Sequence, residues 1–371
     1  MPLTNSSPYD SAKDTAWMIR CCELAARAAG HTAPNPLVGS VVVQGNDIVG
    51  EGFHPKAGEP HAEIFALKAA GEQAKGATLY VNLEPCNHTG RTPPCSEAII
   101  AAGIRRVVIG MRDPNPTASG GIQVLREAGI EVTAGVEEAR ARQLNEAFIH
   151  RVLHRRPFGI LKYAMTLDGK IATTTGHSAW ISGSKSRQQV HQLRSRCDAV
   201  IVGGNTVRKD NPNLTSHGEG THNPLRVVMS RQLNLPTVAN LWDVSSAPTL
   251  VLSQMDADKN VARALRQQSV EVICADELTP EFAMDVLYQR GCMSVLWECG
   301  GTLAAEAIAA NAVQKIWAFI APKIIGGRTA PSPIGDLGLE RMTAARRLER
   351  TELTAVGDDI LLQGYFSESV S

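Results

Sequence analysis

At 371 residues the chain is too long for one typical hydrophobic core, and about two domains are expected. Hydrophobic residues make up 43% and charged residues 20%, the balance of a soluble globular protein; Lys+Arg equals Asp+Glu at 37 each, which leaves no net field to hold a polyanion and argues against a nucleic-acid partner. The polar start, Met1 to Asp14, has no apolar core of signal-peptide length, and no run of about 18 apolar residues occurs, so no membrane partner is expected.

Asp14–Ala29 carries apolar residues at helical spacing (Trp17, Met18, Cys21, Leu24, Ala25, Ala28) and stops at Gly30. A loop over residues 31–36 leads into a strand at Val38–Val43, and Gln44-Gly-Asn-Asp47 predicts a hairpin whose return strand is Ile48–Phe53. Strong helix formers fill Ala62–Ala70; a strand at Thr78–Leu83, a helix at Cys95–Ala102, a strand at Arg106–Met111 and a helix at Gly121–Ala128 follow. Strands alternating with helices argue a three-layer α/β domain. The basic run His150–Pro157 (Arg151, His154, Arg155, Arg156) reads as a short solvated linker, dividing the chain into residues 1–150 and 151–371. The pattern then restarts with strands at Phe158–Met165, Ala199–Val202, Leu225–Met229, Thr249–Leu252, Met293–Glu298 and Lys315–Ile320, and helices at Lys185–Arg196 and Leu303–Ala310.

His61-Ala-Glu63, then Pro85-Cys86 and Cys95, place one imidazole, two thiols and one carboxylate at spacings that suit a catalytic zinc. Three protein ligands leave a fourth tetrahedral position for water, whose pKa the metal lowers to about 7. Glu63 is then placed to move protons between that water and a leaving amine, the pattern of the zinc deaminases. Those enzymes usually have two residues between the cysteines; here eight intervene, Asn87 to Pro94. His61 and Glu63 fall at the first turn of one helix and Cys95 opens another, where the dipole favours a thiolate. His88 is a rival ligand. The other six cysteines sit in apolar contexts and read as buried reduced thiols, which suits a cytoplasmic location.

In the second half no Gly-x-Gly-x-x-Gly follows a strand, so a Rossmann site is not supported. Val202-Gly-Gly-Asn-Thr206 and Trp297-Glu-Cys-Gly-Gly-Thr302 each put glycines at a strand-to-helix turn, which suits either a phosphate cradle or a tight turn.

Taken together, the runs His54-Pro-Lys-Ala-Gly-Glu-Pro-His-Ala-Glu63, Leu83–Cys95, Pro34-Asn-Pro-Leu-Val-Gly39 and Asp113-Pro-Asn-Pro116 resemble the deaminase half of the bifunctional deaminase–reductase family of riboflavin biosynthesis. Leu161–Ala172, Ser178–Ser182, Asp198–Gly203, Thr206–Thr215 and Ala321–Gly327 resemble its reductase half. The resemblance implies a cytidine-deaminase-like N-terminal domain and a dihydrofolate-reductase-like C-terminal one. It implies Zn2+ and NADPH as cofactors, small pyrimidine ribosyl phosphates as partners, and a homo-oligomer. The implied reactions are hydrolytic removal of the 2-amino group of 2,5-diamino-6-ribosylamino-4(3H)-pyrimidinone 5′-phosphate, then hydride transfer to the sugar C1′.

Carried over position by position, it implies zinc on His61, Cys86 and Cys95, with Glu63 as the proton shuttle. It implies cofactor contacts at Ala164, Trp180, Thr206, Asp210 and the stretch Gly300, Gly301, Thr302, Leu303, Ala304, Ala305 and Glu306. Substrate contacts are implied at Ser178, Arg194, Leu214 and Glu298. Arg194 suits bidentate binding of the ribose phosphate, and Lys162 is a candidate near the sugar. Asn35 is either a contact to the pyrimidine edge or a turn residue; Lys56 and Arg91 are either phosphate ligands or surface cations.

Two positions depart from the family pattern. Cys299 replaces a glycine in the Glu298-Cys-Gly-Gly301 loop, and His217 stands where many members carry Arg. A neutral His there weakens phosphate binding unless another cation, such as Arg208, compensates. A deaminase with a weakened or inactive reductase domain is therefore the alternative reading, and a nucleic-acid deaminase with an accessory domain is a further one, disfavoured by the neutral charge.

Overall fold

Three successive valines set the architecture of the first half. Alternate residues of a strand face opposite sides of its sheet. Val41 and Val43 pack with Met18, Cys21 and Leu24, whereas Val42 packs among Ala62, Ala66 and Ile99. The split recurs in later strands: Tyr80 and Val108 join the first cluster, Leu79, Val81, Val107 and Ile109 the second. A sheet apolar on both faces has to be covered on both, which gives three layers.

The computed structural model describes residues 11–88 and 93–367, and separates into two units, Met1–Arg155 and Arg156–Ser371. The first unit runs α1 (Ser11–Ala26), β1 (Gly39–Gln44), β2 (Asp47–Phe53), α2 (Ala62–Ala70), β3 (Thr78–Leu83), α3 (Cys95–Ala101), β4 (Arg106–Met111), α4 (Gly121–Glu127), β5 (Glu131–Ala134), α5 (Glu138–Leu144) and α6 (Glu146–His154). Its strands lie in the order β2-β1-β3-β4-β5, with β1 antiparallel to both neighbours and β3, β4 and β5 parallel. The elements expected from residue 38 to 128 fall within a residue or two of these bounds. The basic segment is corrected: its first five residues complete α6 rather than forming an open linker.

One buried ion pair fastens α1 to this sheet. Arg106, the first residue of β4, places Nη1 and Nη2 2.9 and 2.8 Å from the two carboxylate oxygens of Asp14, and the Tyr80 hydroxyl donates to Asp14 Oδ1 at 2.8 Å. Asp14 and Arg106 are both buried.

The second unit runs β6 (Phe158–Thr166), α7 (Ser184–Arg194), β7 (Ala199–Gly203), α8 (Gly204–Asp210), β8 (Leu225–Met229), β9 (Thr249–Gln254), α9 (Lys259–Gln267), β10 (Glu271–Ala275), α10 (Pro280–Gln289), β11 (Ser294–Trp297), α11 (Gly301–Ala309), β12 (Lys315–Ala321), β13 (Leu348–Val356) and β14 (Asp359–Phe366). Nine strands form one sheet in the order β10-β9-β8-β7-β11-β6-β12-β14-β13. All its pairings are parallel except those of β14, which is antiparallel to β12 and β13. The central strands are buried runs such as Ala199–Val202 and Ser294–Trp297, as expected of a parallel sheet covered on both faces. Ligands of such sheets sit beyond the carboxyl ends of the strands. There β11 lies between β7 and β6, with Trp297 opposite both Ile201 and Leu161.

Asp14→Ala removes the bidentate carboxylate from the buried Arg106 guanidinium, which keeps its 3.6 Å contact to the more exposed Glu131. The expected cost is about 3–5 kcal/mol, read as a lower urea midpoint for the first unit. The double replacement Asp14→Leu/Arg106→Met is expected to recover most of that loss.

Candidate active sites

The first unit gathers its chemistry where helices begin. His61 caps α2 in an extended conformation, Glu63 lies in that helix's first turn, Cys86 follows β3, and Cys95 is the first residue of α3. Their junction brings the ligand atoms of His61, Cys86 and Cys95 within 4.8 Å of one another, and this is the trio of potential metal ligands among the described residues. His61 Nδ1 faces both sulfurs, 3.2 Å from Cys95 Sγ and 3.5 Å from Cys86 Sγ. One imidazole and two sulfurs converging on a point are the donor set zinc prefers, and no fourth Cys or His joins the trio among the described residues to close it as a structural site.

Protonation in this cluster is shared. The hydrogen bond from the Cys95 thiol is the main cause that brings Cys86 down to about 4, with help from His61 and the Cys95 backbone N–H. Cys95 is pushed up by the Cys86 thiolate, by burial and by Glu63. Burial raises Glu63, which is almost wholly buried. A divalent cation offsets these repulsions at once, so the residues fit zinc.

A cavity of about 370 Å³ opens beside the trio and is lined by Asn35, His54, Glu63, Asp113 and Arg151, among others. His88 lines it too but does not join the ligand trio. Asn35 Nδ2 lies 3.1 Å from His54 Nε2, and His54 Nδ1 lies 3.0 Å from the Pro60 carbonyl. Since a carbonyl only accepts, the proton belongs on Nδ1, and Nε2 accepts from Asn35, which leaves Asn35 Oδ1 for a ligand. Lys56 is exposed and pairs with Glu59 at 3.8 Å, and it does not line the cavity. Arg91 lies outside the described residues.

Sequence reasoning missed two contributors. Glu84 is buried and accepts hydrogen bonds from the backbone N–H groups of Asp113, Gly120 and Ile122, so it holds the segment that follows β4 over the cavity. Asp113 is raised to about 6, chiefly by burial and then by Glu84 and Cys86. Arg151, read from sequence as a linker charge, lines the cavity from α6. A buried Glu in an apolar strand end was the available signal for Glu84; the helical continuation of α6 hid Arg151.

In the second unit register builds the site. Because Trp297 is opposite Leu161, the next residues, Glu298 and Lys162, become neighbours, with Lys162 Nζ 4.0 Å from Glu298 Oε2. Arg194, the last residue of α7, meets the same carboxylate through Nε at 2.5 Å and Nη2 at 2.9 Å, and its Nη1 donates to the Thr215 carbonyl at 3.1 Å. The fork expected to bind a phosphate is thus already engaged by Glu298. Burial lowers Lys162, while Glu298 is held low by Arg194 and Lys162 against its own burial. Leu214 is buried next to Thr215, in a left-handed backbone conformation at φ 56°. Ser178 and Trp180 lie exposed on the 167–183 loop, with the Arg187 guanidinium 4.5 Å from the Trp180 ring centre.

The implied cofactor stretch opens α11. Gly300 caps that helix, no side chain bonds to its first-turn N–H groups, and that turn holds no acidic residue. Such an end attracts phosphate. A Cβ at Gly301 would lie 2.7 Å from the Ser332 carbonyl oxygen, so only glycine lets the 332–335 segment close against the turn. Leu303, Ala304 and Ala305 follow in the same helix, Ala164 lies on β6, and Thr206 and Asp210 lie on α8. Glu306 is held by Arg231, just past β8, through Nη2 at 2.9 and 3.0 Å, a pairing across 75 residues that gave no sequence signal. Gly204 has a packing role, since a Cβ there would meet Ser230 Oγ at 3.0 Å. Cys299 packs on the core, and burial pushes its thiol up to about 12, so the departure from glycine places an inert side chain. These residues fit a dinucleotide.

Residues 157–362 match the family model of the RibD C-terminal domain, and residues 11–111 match the cytidine and deoxycytidylate deaminase zinc-binding region. The riboflavin biosynthesis protein RibD of Synechocystis is 62% identical over 353 residues, covering 95% of this chain and 96% of its own. The RibD of Aquifex aeolicus is 42% identical over 351 residues, covering 94% and 97%. The crystal structure of the Thermotoga maritima diaminohydroxyphosphoribosylaminopyrimidine deaminase/5-amino-6-(5-phosphoribosylamino)uracil reductase superposes with a TM-score of 0.87 at 36% identity, over 97% of this chain and all of that one.

Gly301→Ala is expected to displace the 332–335 segment and weaken NADPH binding at least about tenfold, the scale of one lost or strained anion contact of about 1.4 kcal/mol. Fluorescence titration of the cofactor measures it, and ammonia release by the first unit should be unchanged.

Proposed function

The chain belongs to the RibD family of bifunctional riboflavin-biosynthesis enzymes, and from that membership we propose the part each residue plays in its two reactions. It is a deaminase and a reductase in one chain, with Zn2+ and NADPH as cofactors. Both domain models are matched over most of the length of their halves, and no observation favours a weakened reductase. The deaminase is assigned to residues 1–150 and the reductase to residues 151–371.

For deamination we assign zinc to His61, Cys86 and Cys95, and its Lewis acidity makes water nucleophilic near pH 7. Glu63 accepts a proton from the attacking water and returns protons to the pyrimidine ring and to the amine that leaves C2 as ammonia. Its burial suits this shuttle, because a raised pKa brings a carboxyl closer to the pH at which it works. Asn35, oriented by His54, hydrogen-bonds the pyrimidine edge. The substrate is the 2,5-diaminopyrimidinone ribosyl phosphate.

For reduction NADPH supplies the hydride to C1′ of the ribosylamino group, and the ring oxygen that departs from C1′ takes a proton. Lys162 is the donor we assign: it is half-buried, lowered by desolvation, and beside Glu298. Arg194 positions Glu298, which binds sugar hydroxyls. Ser178 and Leu214 complete the substrate contacts, and Ala164, Trp180, Thr206, Asp210 and residues 300–306 hold the cofactor.

The observation that carries this reading is the convergence of His61, Cys86 and Cys95 beside a buried Glu63. A cytoplasmic location is supported by the six cysteines outside the metal trio, which form no disulfide. A homo-oligomer is supported by the sheet edge at β13, where Leu353 is exposed. Among the described residues no helix is long and apolar enough to cross a membrane.

Glu63→Gln is expected to lower ammonia release by at least about a thousandfold, while zinc content and NADPH oxidation with the deaminated intermediate stay intact. Loss of both activities in the folded variant would overturn the two-site assignment. Elemental analysis should give about one zinc per chain, the count for a three-ligand catalytic site, and chelation should abolish deamination alone.

A further inference from the structure

Charge is nearly balanced at the reductase's sugar-binding end, and a phosphate ester arriving there needs more of it. The point rests on the assignment of the reductase substrate to the Arg194–Glu298 cleft. Arg194 is spent on Glu298 and on the Thr215 carbonyl, and Lys162 adds one positive charge 4.0 Å from the same carboxylate. A phosphate monoester carries up to two negative charges near neutral pH, so one positive charge is lacking. Arg208 does not supply it: its guanidinium is turned to the Asn234 carbonyl and to Asn205.

Two imidazoles stand there instead. His191 lies on α7, one turn before Arg194, and His217 comes from the 211–224 loop; their rings stack with centroids 4.2 Å apart and planes 25° from parallel. His217 adopts φ 51° and Leu214 φ 56° in the same loop, a backbone conformation that side-chain-bearing residues seldom hold and that marks an over-determined segment. The His217 residue is exposed and His191 is half-buried, so a ligand reaches the pair from solvent.

The groups facing these rings are Arg194 from α7, Glu298 from the end of β11, and Glu219 from the loop, the last held by Gln188 and Gln192. Burial and Arg194 keep both rings low in the free protein, His191 at about 4, while Glu298 and Glu219 oppose the shift at His191 and Glu298 opposes it at His217. A neutral pair costs nothing beside Arg194 until an anion arrives, and then one ring gains a counter-charge on its open side.

We propose that His191 and His217 form a proton-coupled clamp for the substrate's dianionic phosphate, which binds together with one proton taken from solvent and releases it on leaving. The sign follows from linkage. Binding raises the pKa of the pair, so affinity is greatest below the free-state pKa, falls about tenfold per pH unit between the free and bound values, and is lowest above the bound-state pKa.

The test is calorimetric titration of the full chain with the ribitylamino product 5′-phosphate, in buffers of different ionisation enthalpy at pH 7.5. Uptake of about one proton is expected, and none with the dephosphorylated product. His217→Asn should lose the uptake and most of the preference for the phosphate. His217→Arg should keep that preference while its Kd becomes flat across neutral pH, which also shows that the loop still folds. Tight product binding without proton uptake, or uptake unchanged in His217→Asn, would sink the clamp alone. If the product does not bind at all, the reductase assignment falls with it.

Discussion

Parallel pairing brings the carboxyl ends of neighbouring strands to one edge of a sheet, and both chemistries of this chain depend on that constraint. In the first unit β3 and β4 run in parallel, so the residues after each, Cys86 and Asp113, emerge at the same edge. Glu84 then joins the two exits by accepting the N–H of Asp113. In the second unit the rungs Leu161–Trp297 and Ile201–Trp297 put Lys162, Glu298 and the turn into α8 at one edge. Helices starting just beyond those strand ends add their N–H groups, which favour thiolate at Cys86, whose sulfur accepts from the Cys95 N–H, and phosphate at α11.

How much of this was legible in the sequence follows from what each signal depends on. Strands β1, β3 and β4 were readable because they alternate or run apolar between clear turns. The zinc trio was readable because its spacing reflects a local device, a ligand at each of two helix starts. By contrast β13 is Leu348-Glu-Arg-Thr-Glu-Leu-Thr-Ala-Val356, a largely exposed edge strand whose charged residues erase the period-2 pattern. The helix α6 was hidden by its basic residues, which look solvated in one dimension although Arg151 lines a cavity. Arg194 was correctly singled out, but its engagement by Glu298, 104 residues away, is a product of the sheet register and of where α7 ends. Local spacing cannot encode such a pair.

The departures from the family pattern also separate by physical cause. Cys299 is a change of volume on the core side of a loop, and the core accommodates it as a partly buried thiol whose pKa burial pushes up to about 12. His217 is a change of charge on the solvent side, where no packing absorbs it. A change of the first kind is settled by neighbours already present. A change of the second kind shifts the burden to whichever titratable group stands closest, and here that group is a second imidazole.

The two sites solve one electrostatic problem in opposite ways. Each buries a carboxylate, Glu63 in one and Glu298 in the other, and burial alone would neutralise both. At Glu298 the chain supplies its own counter-charges, Arg194 and Lys162, and the carboxylate is held ionised as a fixed acceptor for sugar hydroxyls. At Glu63 burial raises the pKa against the pull of its own backbone N–H and of His61, while Cys86 adds to the rise and Cys95 opposes it, so no full counter-charge holds it ionised. A carboxyl so placed changes protonation easily, which is what a shuttle requires and a fixed acceptor must avoid. The difference lies in the residues next door: Arg and Lys beside one carboxylate, Cys and His beside the other. The same logic explains why the deaminase half needs a metal to complete its charge balance, whereas the reductase half, already balanced, has to recruit its extra proton when the phosphate arrives.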